Sequence, residues 1–113
     1  MTSADNGRSH FQMAELLDEA GVLCLSLIGE LDIAVADDLA TRLHQLQEQG
    51  LEVRLDLTRL EFIDSAGIRE LKCALDSSRR DGSRLTVGTD MTRAVRRVVE
   101  IVGLGAYFGP PGS

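Results

Sequence analysis

Apolar and polar positions alternate with two different periods along the chain, and each change of period marks a predicted element. Residues 11–17 and 22–28 are apolar runs on either side of the polar turn 18–21, which is typical of a β-hairpin. The first run also tolerates a helix. The second is almost wholly apolar and predicts a buried strand. Residues 29–32 then break the strand pattern.

A helical period begins at Ala34 and ends before Gly50. Asp32 lies close enough to the start of this helix to cap it, and Asp37 and Asp38 suit the positive end of its dipole. A glycine just after the last periodic residue is a common helix terminator. The predicted inward positions are Val35, Leu39, Leu43 and Leu46.

Alternation returns at residues 53–57 and predicts a strand that continues to a tight turn at 63–67. An amphipathic helix follows directly and closes near Gly82. Residues 85–88 form another short strand, and residues 106–108 a last one. Between these two strands lies the most regular helix, capped by Thr89, Asp90 or Thr92 and ended by Gly103. Its apolar positions are Val95, Val98, Val99 and Val102.

This order of elements predicts one α/β domain with a mixed sheet of four to five strands and helices packed mainly on one face. The predicted domain covers residues 11–108, between a flexible N-terminal tail (1–10) and a C-terminal tail (109–113). A chain of 113 residues suits a single modest core. No apolar run is long enough for a membrane span, and no signal peptide is visible, so we expect a cytoplasmic protein.

The net charge of −6 is unevenly distributed, with −9 in residues 1–64 and +3 in residues 65–113. An acidic chain of this kind is a poor nucleic-acid binder, because phosphate contacts need a dense lysine and arginine surface. The asymmetry suits a partner protein. The flank formed by Arg93, Arg96 and Arg97 is either a solvated helix face or a second binding surface.

Cysteine and histidine spacing predicts no metal site and no cofactor. Cys24 and Cys73 are far apart, which favours small core residues over zinc ligands, although a regulatory disulfide is an open alternative. His10 and His44 lie near no other predicted ligand. Glu30 and Asp32 suit turn and cap chemistry or partner binding, and a third ligand for a metal is not evident.

The turn around Ser65 has three interpretations. Ser65 is an N-cap serine, an acyl-transfer nucleophile on a strand–turn–helix elbow, or a phosphorylation site at a helix start that accommodates an anion. The nucleophile elbow requires glycine two residues before the serine, and Ile63 occupies that position. No histidine is well placed in the sequence to act as a base.

Three segments in order resemble the signature of the STAS domain, and specifically of bacterial anti-sigma-factor antagonists. Residues 64–68 (DSAGI) follow an apolar strand, like the family's D-S-x-G-[LI] motif. Residues 27–32 (LIGELD) resemble its L-x-G-E-L-D segment, and residues 95–104 resemble its closing helix. Ala66 departs from the serine or threonine common in relatives, and Arg69 and Glu70 replace small or apolar residues.

The resemblance implies that Ser65 is phosphorylated by a partner kinase that is itself an anti-sigma factor. Unphosphorylated antagonist binds this kinase and frees a sigma factor, and phosphorylation releases it through bulk and repulsion from an acidic partner face. The implied partner-binding residues are Glu30, Asp32, Asp64, Ser65, Ala66, Gly67 and Arg69. A weak homodimer is left open. The alternative is a STAS scaffold of a stress-signalling complex that binds without phosphorylation, and an enzyme is the third hypothesis.

Overall fold

The computed structural model describes residues 11–103. In this part of the chain, five strands and three helices follow one another in an α/β order: β1 (Phe11–Leu17), β2 (Val22–Leu31), α1 (Ile33–Glu48), β3 (Glu52–Leu57), β4 (Leu60–Ile63), α2 (Ser65–Asp81), β5 (Leu85–Met91) and α3 (Arg93–Ile101). The predicted α/β class is confirmed. Both predicted tails and the predicted strand at 106–108 lie outside the described residues.

The five described strands form one mixed sheet. Its order is β1-β2-β3-β5, and β4 pairs with β2 beyond the end of β3. β1 is antiparallel to β2, whereas β2–β3, β2–β4 and β3–β5 are parallel pairs. Parallel neighbours need crossover connections, and α1 and α2 supply two of them. The predicted mixed sheet is therefore confirmed.

The predicted hairpin is formed by β1 and β2. Asp18 stabilises its turn, because the Oδ1 atom accepts hydrogen bonds from the backbone N–H groups of Ala20 (2.8 Å) and Val22 (3.0 Å). Residues 11–17 pair with β2 along their whole length, so the helical alternative for this segment is wrong. Pairing with a neighbouring strand decides between two conformations that the local pattern tolerates equally.

Burial along β2 alternates strictly, which corrects the prediction of a wholly buried strand. Leu23, Leu25, Leu27, Gly29 and Leu31 are buried, and the residues that alternate with them are half-buried. One face of the sheet therefore forms the core, and the other is partly open to solvent. The core combines leucines of β2 and β3 with the apolar stripes of α1 and α2, which contact each other, and with Val95 and Val99 of α3.

The predicted break at residues 29–32 is absent, and β2 continues to Leu31. The register between β2 and β4 shifts between Gly29 and Glu30, where Gly29 adopts a φ of +97°. Glycine takes this conformation without the steric cost that a Cβ atom imposes. The strand passes through the irregularity and pairs Leu31 with Ile63. The extra residue is Glu61 of β4, which lies between the partners of Gly29 and Glu30, so the irregularity is in β4 and the segment up to Leu31 remains part of β2.

The single strand predicted from residue 53 to the Ser65 turn is two strands, β3 and β4. The Asp56 carboxylate divides them, because its Oδ1 atom accepts hydrogen bonds from the backbone N–H (2.9 Å) and hydroxyl (2.7 Å) of Thr58. Aspartate commonly stabilises a turn in this way. After this turn the chain continues as β4 and pairs with the last residues of β2.

The helix ends follow the predicted capping chemistry. Gly50 and Gly103 have φ angles of +75° and +76° directly after the caps of α1 and α3. Thr92 is the cap of α3: its hydroxyl accepts from the Val95 N–H (3.4 Å) and donates to the Leu60 carbonyl (2.7 Å). The strand before it extends to Met91, beyond the predicted end at Gly88. No helix within residues 11–103 is long and apolar enough to span a bilayer.

Candidate functional site

Two neighbouring parallel strands end side by side, and each leads into a helix through one aspartate. Leu31 of β2 is paired with Ile63 of β4, and the backbone N–H of Asp64 donates to the Leu31 carbonyl at 3.2 Å. Asp32 then begins α1 and Asp64 begins α2. The N-termini of two helices therefore lie next to each other at the carboxyl edge of the sheet, which is where ligands and partners commonly bind α/β domains.

Asp32 caps α1, as predicted. Its backbone is extended (φ −127°, ψ −176°), and its Oδ1 atom accepts a hydrogen bond from the Ala34 N–H at 3.0 Å. This contact satisfies one of the amide groups that have no partner within the helix. The carboxylate is half-buried, so part of it faces solvent.

The Asp64 carboxylate accepts hydrogen bonds from the first turns of both helices. Its Oδ1 atom accepts from the Gly67 N–H (2.9 Å) in α2, and its Oδ2 atom accepts from the Ile33 N–H (3.2 Å) in α1. Asp64 is therefore the N-cap of α2, and the interpretation of Ser65 as the N-cap is wrong. One carboxylate can bond to two helices because the parallel strands β2 and β4 end side by side and place the two helix starts next to each other.

Ser65 is the first residue of α2, and its side chain is exposed. Its hydroxyl makes no hydrogen bond within residues 11–103, since the capping position belongs to Asp64. A free hydroxyl in the first turn of a 17-residue helix lies where the helix dipole favours negative charge. Neighbouring Ala66 has no hydroxyl, so Ser65 has the only side-chain hydroxyl in the turn formed by residues 63–67.

Gly67 allows α2 to begin this close to the sheet. A Cβ atom at this position would lie 2.8 Å from both the carbonyl oxygen and Cγ of Leu31, and 2.9 Å from Cγ1 of Ile63. Those distances are well inside van der Waals contact. Gly67 is itself buried, so its role in any docking surface is to set the position of Ser65.

The other predicted partner-binding residues lie on different sides of this edge. Arg69 is exposed one turn after Ser65, on the same helix, and Ala66 is half-buried. Glu30 alternates with the core residue Leu31, which places it on the face of the sheet opposite the core, paired in register with Phe62. The structure thus brings Asp32, Asp64, Ser65, Ala66, Gly67 and Arg69 together and leaves Glu30 across the sheet.

Acidic side chains of α1 and α2 lie near each other at this edge, beside the exposed Arg69. Burial raises the pKa of the Glu70 carboxyl, and the negative charge of Asp37 on the neighbouring helix raises it further. Carboxylates from the two helices therefore lie close enough to repel each other. A partner that offers positive charge here would relieve this repulsion.

Other reactive groups lie away from Ser65. His44, the one histidine among the described residues, is 71% exposed and pairs with Glu48 at 3.2 Å. It follows Ile33 by 11 residues, roughly 16 Å along α1. Residues 11–103 contain no cluster of three histidine, cysteine or carboxylate side chains that could hold a metal ion. Cys24 is half-buried and Cys73 exposed, which corrects the prediction that both are core residues, and both thiols are free.

The comparison with family models agrees with these positions. The model described as the STAS domain matches residues 13–111, nearly the whole chain. The chain belongs to the STAS domain family. No curated protein sequence matches this STAS domain.

Solved structures share its fold. An anti-sigma factor antagonist from Mycobacterium paratuberculosis is 23% identical, with a TM-score of 0.73 over 87% of this chain and 82% of its own. The Bacillus cell fate determinant SpoIIAA in its phosphorylated form is 21% identical, with a TM-score of 0.63 over 87% of each chain. The anti-sigma factor antagonist SpoIIAA in its unphosphorylated form is 17% identical, with a TM-score of 0.62 over 80% of this chain and 83% of its own.

Two exposed apolar side chains near this edge are not among the predicted site residues. Ile33, the first residue of α1, is 76% exposed, and Phe62 of β4 is 48% exposed. The available signal for Ile33 was its absence from the helical stripe that begins at Val35. For Phe62 no signal existed, because an aromatic residue in an apolar strand ordinarily indicates burial.

Proposed function

We propose that this STAS domain is a cytoplasmic anti-sigma-factor antagonist controlled at Ser65. With a bare serine it binds a cognate anti-sigma factor that is also a serine kinase, and the sigma factor held by that kinase is freed. Phosphorylation of Ser65 by the same kinase releases the antagonist. The domain acts by binding and needs no cofactor of its own.

The observation that supports this proposal most strongly is the state of the Ser65 side chain. It is exposed and has no hydrogen-bonding task in the described chain, because Asp64 caps the helix. A serine whose hydroxyl capped the helix would lose that hydrogen bond on phosphorylation, at a cost in stability. Here a phosphate can be added while both hydrogen bonds of the cap remain in place.

The likeness of fold adds support from proteins whose chemistry is named. One neighbour is described as an anti-sigma factor antagonist, and SpoIIAA is described in both unphosphorylated and phosphorylated forms. The same fold is therefore compatible with a phosphate. The D-S-x-G segment of this chain, residues 64–67, contains Ser65 as its serine, and this resemblance in sequence supports Ser65 as the phosphorylated residue.

A phosphate on Ser65 changes the surface in two ways. It adds nearly two negative charges beside the Asp64 carboxylate, and it adds bulk at the first turn of α2. A kinase that has just transferred this phosphate still holds a nucleotide with negative phosphates at its active site. Repulsion between these groups, together with the added bulk, favours separation of the two proteins.

An acyl-transfer enzyme is disfavoured by the same geometry. A serine nucleophile needs a base within about 3.2 Å of its hydroxyl. The Ser65 hydroxyl has no such partner in residues 11–103, and His44 lies well along α1, paired with Glu48. Binding is therefore the function that the site supports best.

Affinity capture from the native host's lysate tests the proposal, with four baits: wild type, Ser65→Ala, Ser65→Glu and Thr41→Glu. Thr41 is an exposed residue of α1, so the last variant adds the same charge away from the turn. We expect the wild-type, Ser65→Ala and Thr41→Glu baits to recover an ATP-dependent kinase, and the Ser65→Glu bait to recover none. Equal recovery by all four would contradict phospho-control and favour a constitutive scaffold.

A further inference from the structure

Ile33 is exposed without a structural reason. The buried stripe of α1 consists of Val35, Ala36, Leu39, Leu43 and Leu46, and Ile33 lies outside it with 76% of its surface exposed. A β-branched residue also favours a helix less than alanine does. Single exposed apolar residues are common, so exposure alone assigns no role to Ile33.

The position of Ile33 is fixed relative to the proposed phosphorylation site. Its backbone N–H donates to the Oδ2 atom of Asp64 at 3.2 Å, and Asp64 directly precedes Ser65. A protein surface that reaches the Ser65 hydroxyl therefore also meets the start of α1. Because the bond is made by the backbone, the Ile33 side chain is left free to contact a partner.

The charges around Ile33 are mostly negative, with the exposed Arg69 of α2 as an exception. Between residues 31 and 41 the chain has three aspartates and no lysine or arginine. Asp37 and Asp38 are exposed, while Asp32 and Asp64 are half-buried caps on either side of the isoleucine. On the neighbouring helix α2, the half-buried Glu70 carboxyl interacts with Asp37 and adds negative charge. An apolar side chain inside an acidic rim is complementary to an apolar pocket inside a basic rim.

We propose that Ile33 is the apolar anchor by which this STAS domain docks on its anti-sigma kinase, inserting into an apolar pocket rimmed by lysine and arginine side chains. The inference rests on the proposed function, and it names the chemistry of the partner surface. Fully desolvated anchors of this kind dominate the affinity of many interfaces, while the surrounding polar rim excludes water. The basic rim contacts α1, whereas the phosphate on Ser65 is repelled by the nucleotide phosphates at the kinase active site.

Substitution of two equally exposed isoleucines tests the anchor. Ile33 and Ile101, at the end of α3, are each 76% exposed. The probe is the kinase that the Ser65→Ala bait recovers, purified and titrated calorimetrically. We expect Ile33→Ala to weaken binding by at least about tenfold and Ile101→Ala by less than about twofold. Neither change should lower the unfolding midpoint, since neither side chain is in the core.

The charged rim gives a second readout. Raising the salt concentration should weaken wild-type binding, and the double variant Asp37→Asn/Asp38→Asn should bind more weakly and show a smaller salt dependence. Unchanged affinity of Ile33→Ala, or affinity that does not depend on salt, would overturn the inference. If wild type instead sediments as a dimer that Ile33→Ala dissociates, the anchor serves a second copy of this chain and the inference is also overturned.

Failure of the inference can be told apart from failure of the proposed function. If Ser65→Glu binds the kinase as tightly as wild type, control by phosphorylation fails, whatever Ile33→Ala does. If Ser65→Glu is released but Ile33→Ala binds normally, the switch stands and the anchor is elsewhere.

Discussion

Asp64 and Ile33 are joined by a hydrogen bond that connects two helices at their first turns. The Oδ2 atom of Asp64 accepts the Ile33 N–H of α1 at 3.2 Å, and its Oδ1 atom caps α2 through Gly67 at 2.9 Å. The residue before Ser65 thereby fixes the geometry of the whole edge. A phosphate added at Ser65 would lie next to the starts of both helices.

Removing the shared cap should cost more stability than removing a single one. Asp64→Ala loses two hydrogen bonds, and we expect it to lower the free energy of unfolding by about 2–3 kcal/mol. Asp32→Ala, which loses the one contact to Ala34, is the control and should cost about 1 kcal/mol. Urea unfolding measures both. Equal losses would show that the bond from Ile33 adds nothing to stability.

Gly67 should resist replacement even by alanine, which ordinarily favours a helix. The added Cβ atom would meet the Leu31 carbonyl oxygen at 2.8 Å, so the start of α2 must move. We expect Gly67→Ala to destabilise the domain by about 1–3 kcal/mol. Gly88→Ala is a suitable control, because its Cβ atom would lie 3.7 Å from its nearest neighbour, the Leu55 carbonyl oxygen. Matching unfolding midpoints for the two variants would disprove the close approach.

The sequence predicted the periodic elements and missed the contacts between distant residues. The stripe of α1, the stripe of α3 as far as Val99, the hairpin and the cap at Asp32 follow from local patterns, because spacing and capping act within a few residues. The predicted last position of the α3 stripe, Val102, is instead 45% exposed. The course of the polar segment 29–32 depends on pairing with β4, about 30 residues later, and a local pattern contains no such information.

The candidate site shows the same division. The turn and its serine were identifiable from the sequence, whereas the identity of the cap was not, because Ser65 and Asp64 are both favourable cap residues. The second bond of Asp64, to Ile33, spans 31 residues and requires the parallel pairing of β2 with β4. The position of Ile33 outside the helical stripe was readable from the sequence, but its place beside Asp64 was not.

Glu70 should lower stability at neutral pH. Burial, followed by the charge of Asp37, raises its pKa in the folded state above the ordinary value of 4.5. At a pH above this raised pKa, ionisation of Glu70 therefore lowers the free energy of unfolding. The loss vanishes below pH 4.5, where the carboxyl is protonated in both the folded and the unfolded state. We expect Glu70→Gln to stabilise the domain at pH 7 by at most about 0.5 kcal/mol, because solvent screens the half-buried group.

Unfolding curves at neutral and acidic pH check this sign. The gain from Glu70→Gln should be present at neutral pH and disappear in acid. Asp37→Asn should give a smaller gain in the same direction, since it removes only the second cause. A gain that persists at acidic pH would assign the effect to packing or helix propensity rather than to ionisation.

Acid should weaken the contact between β1 and α1. A hydrogen bond from Arg42 lowers the pKa of Glu15 in the folded state below the ordinary value of 4.5. The ion pair therefore stabilises the fold above pH 4.5, and this stabilisation is lost as the pH falls through the lower, folded-state pKa. The protection factors of β1 amides, corrected for the intrinsic pH dependence of exchange, should therefore decrease in acid for wild type. Glu15→Gln should show lower protection factors already at neutral pH and a smaller further decrease in acid. An identical pH response in both proteins would exclude this ion pair as the cause.

Phosphate transfer within a purified complex tests the central claim most directly. The captured kinase, magnesium and ATP are mixed with wild type or with Ser65→Ala, and intact-mass and fragment spectra are recorded together with the fraction still bound. The account predicts one phosphate on wild type, located at Ser65, with dissociation following transfer, and an unmodified, stable complex for Ser65→Ala. Phosphate at another residue, or a wild-type complex that persists after Ser65 is phosphorylated, would contradict it.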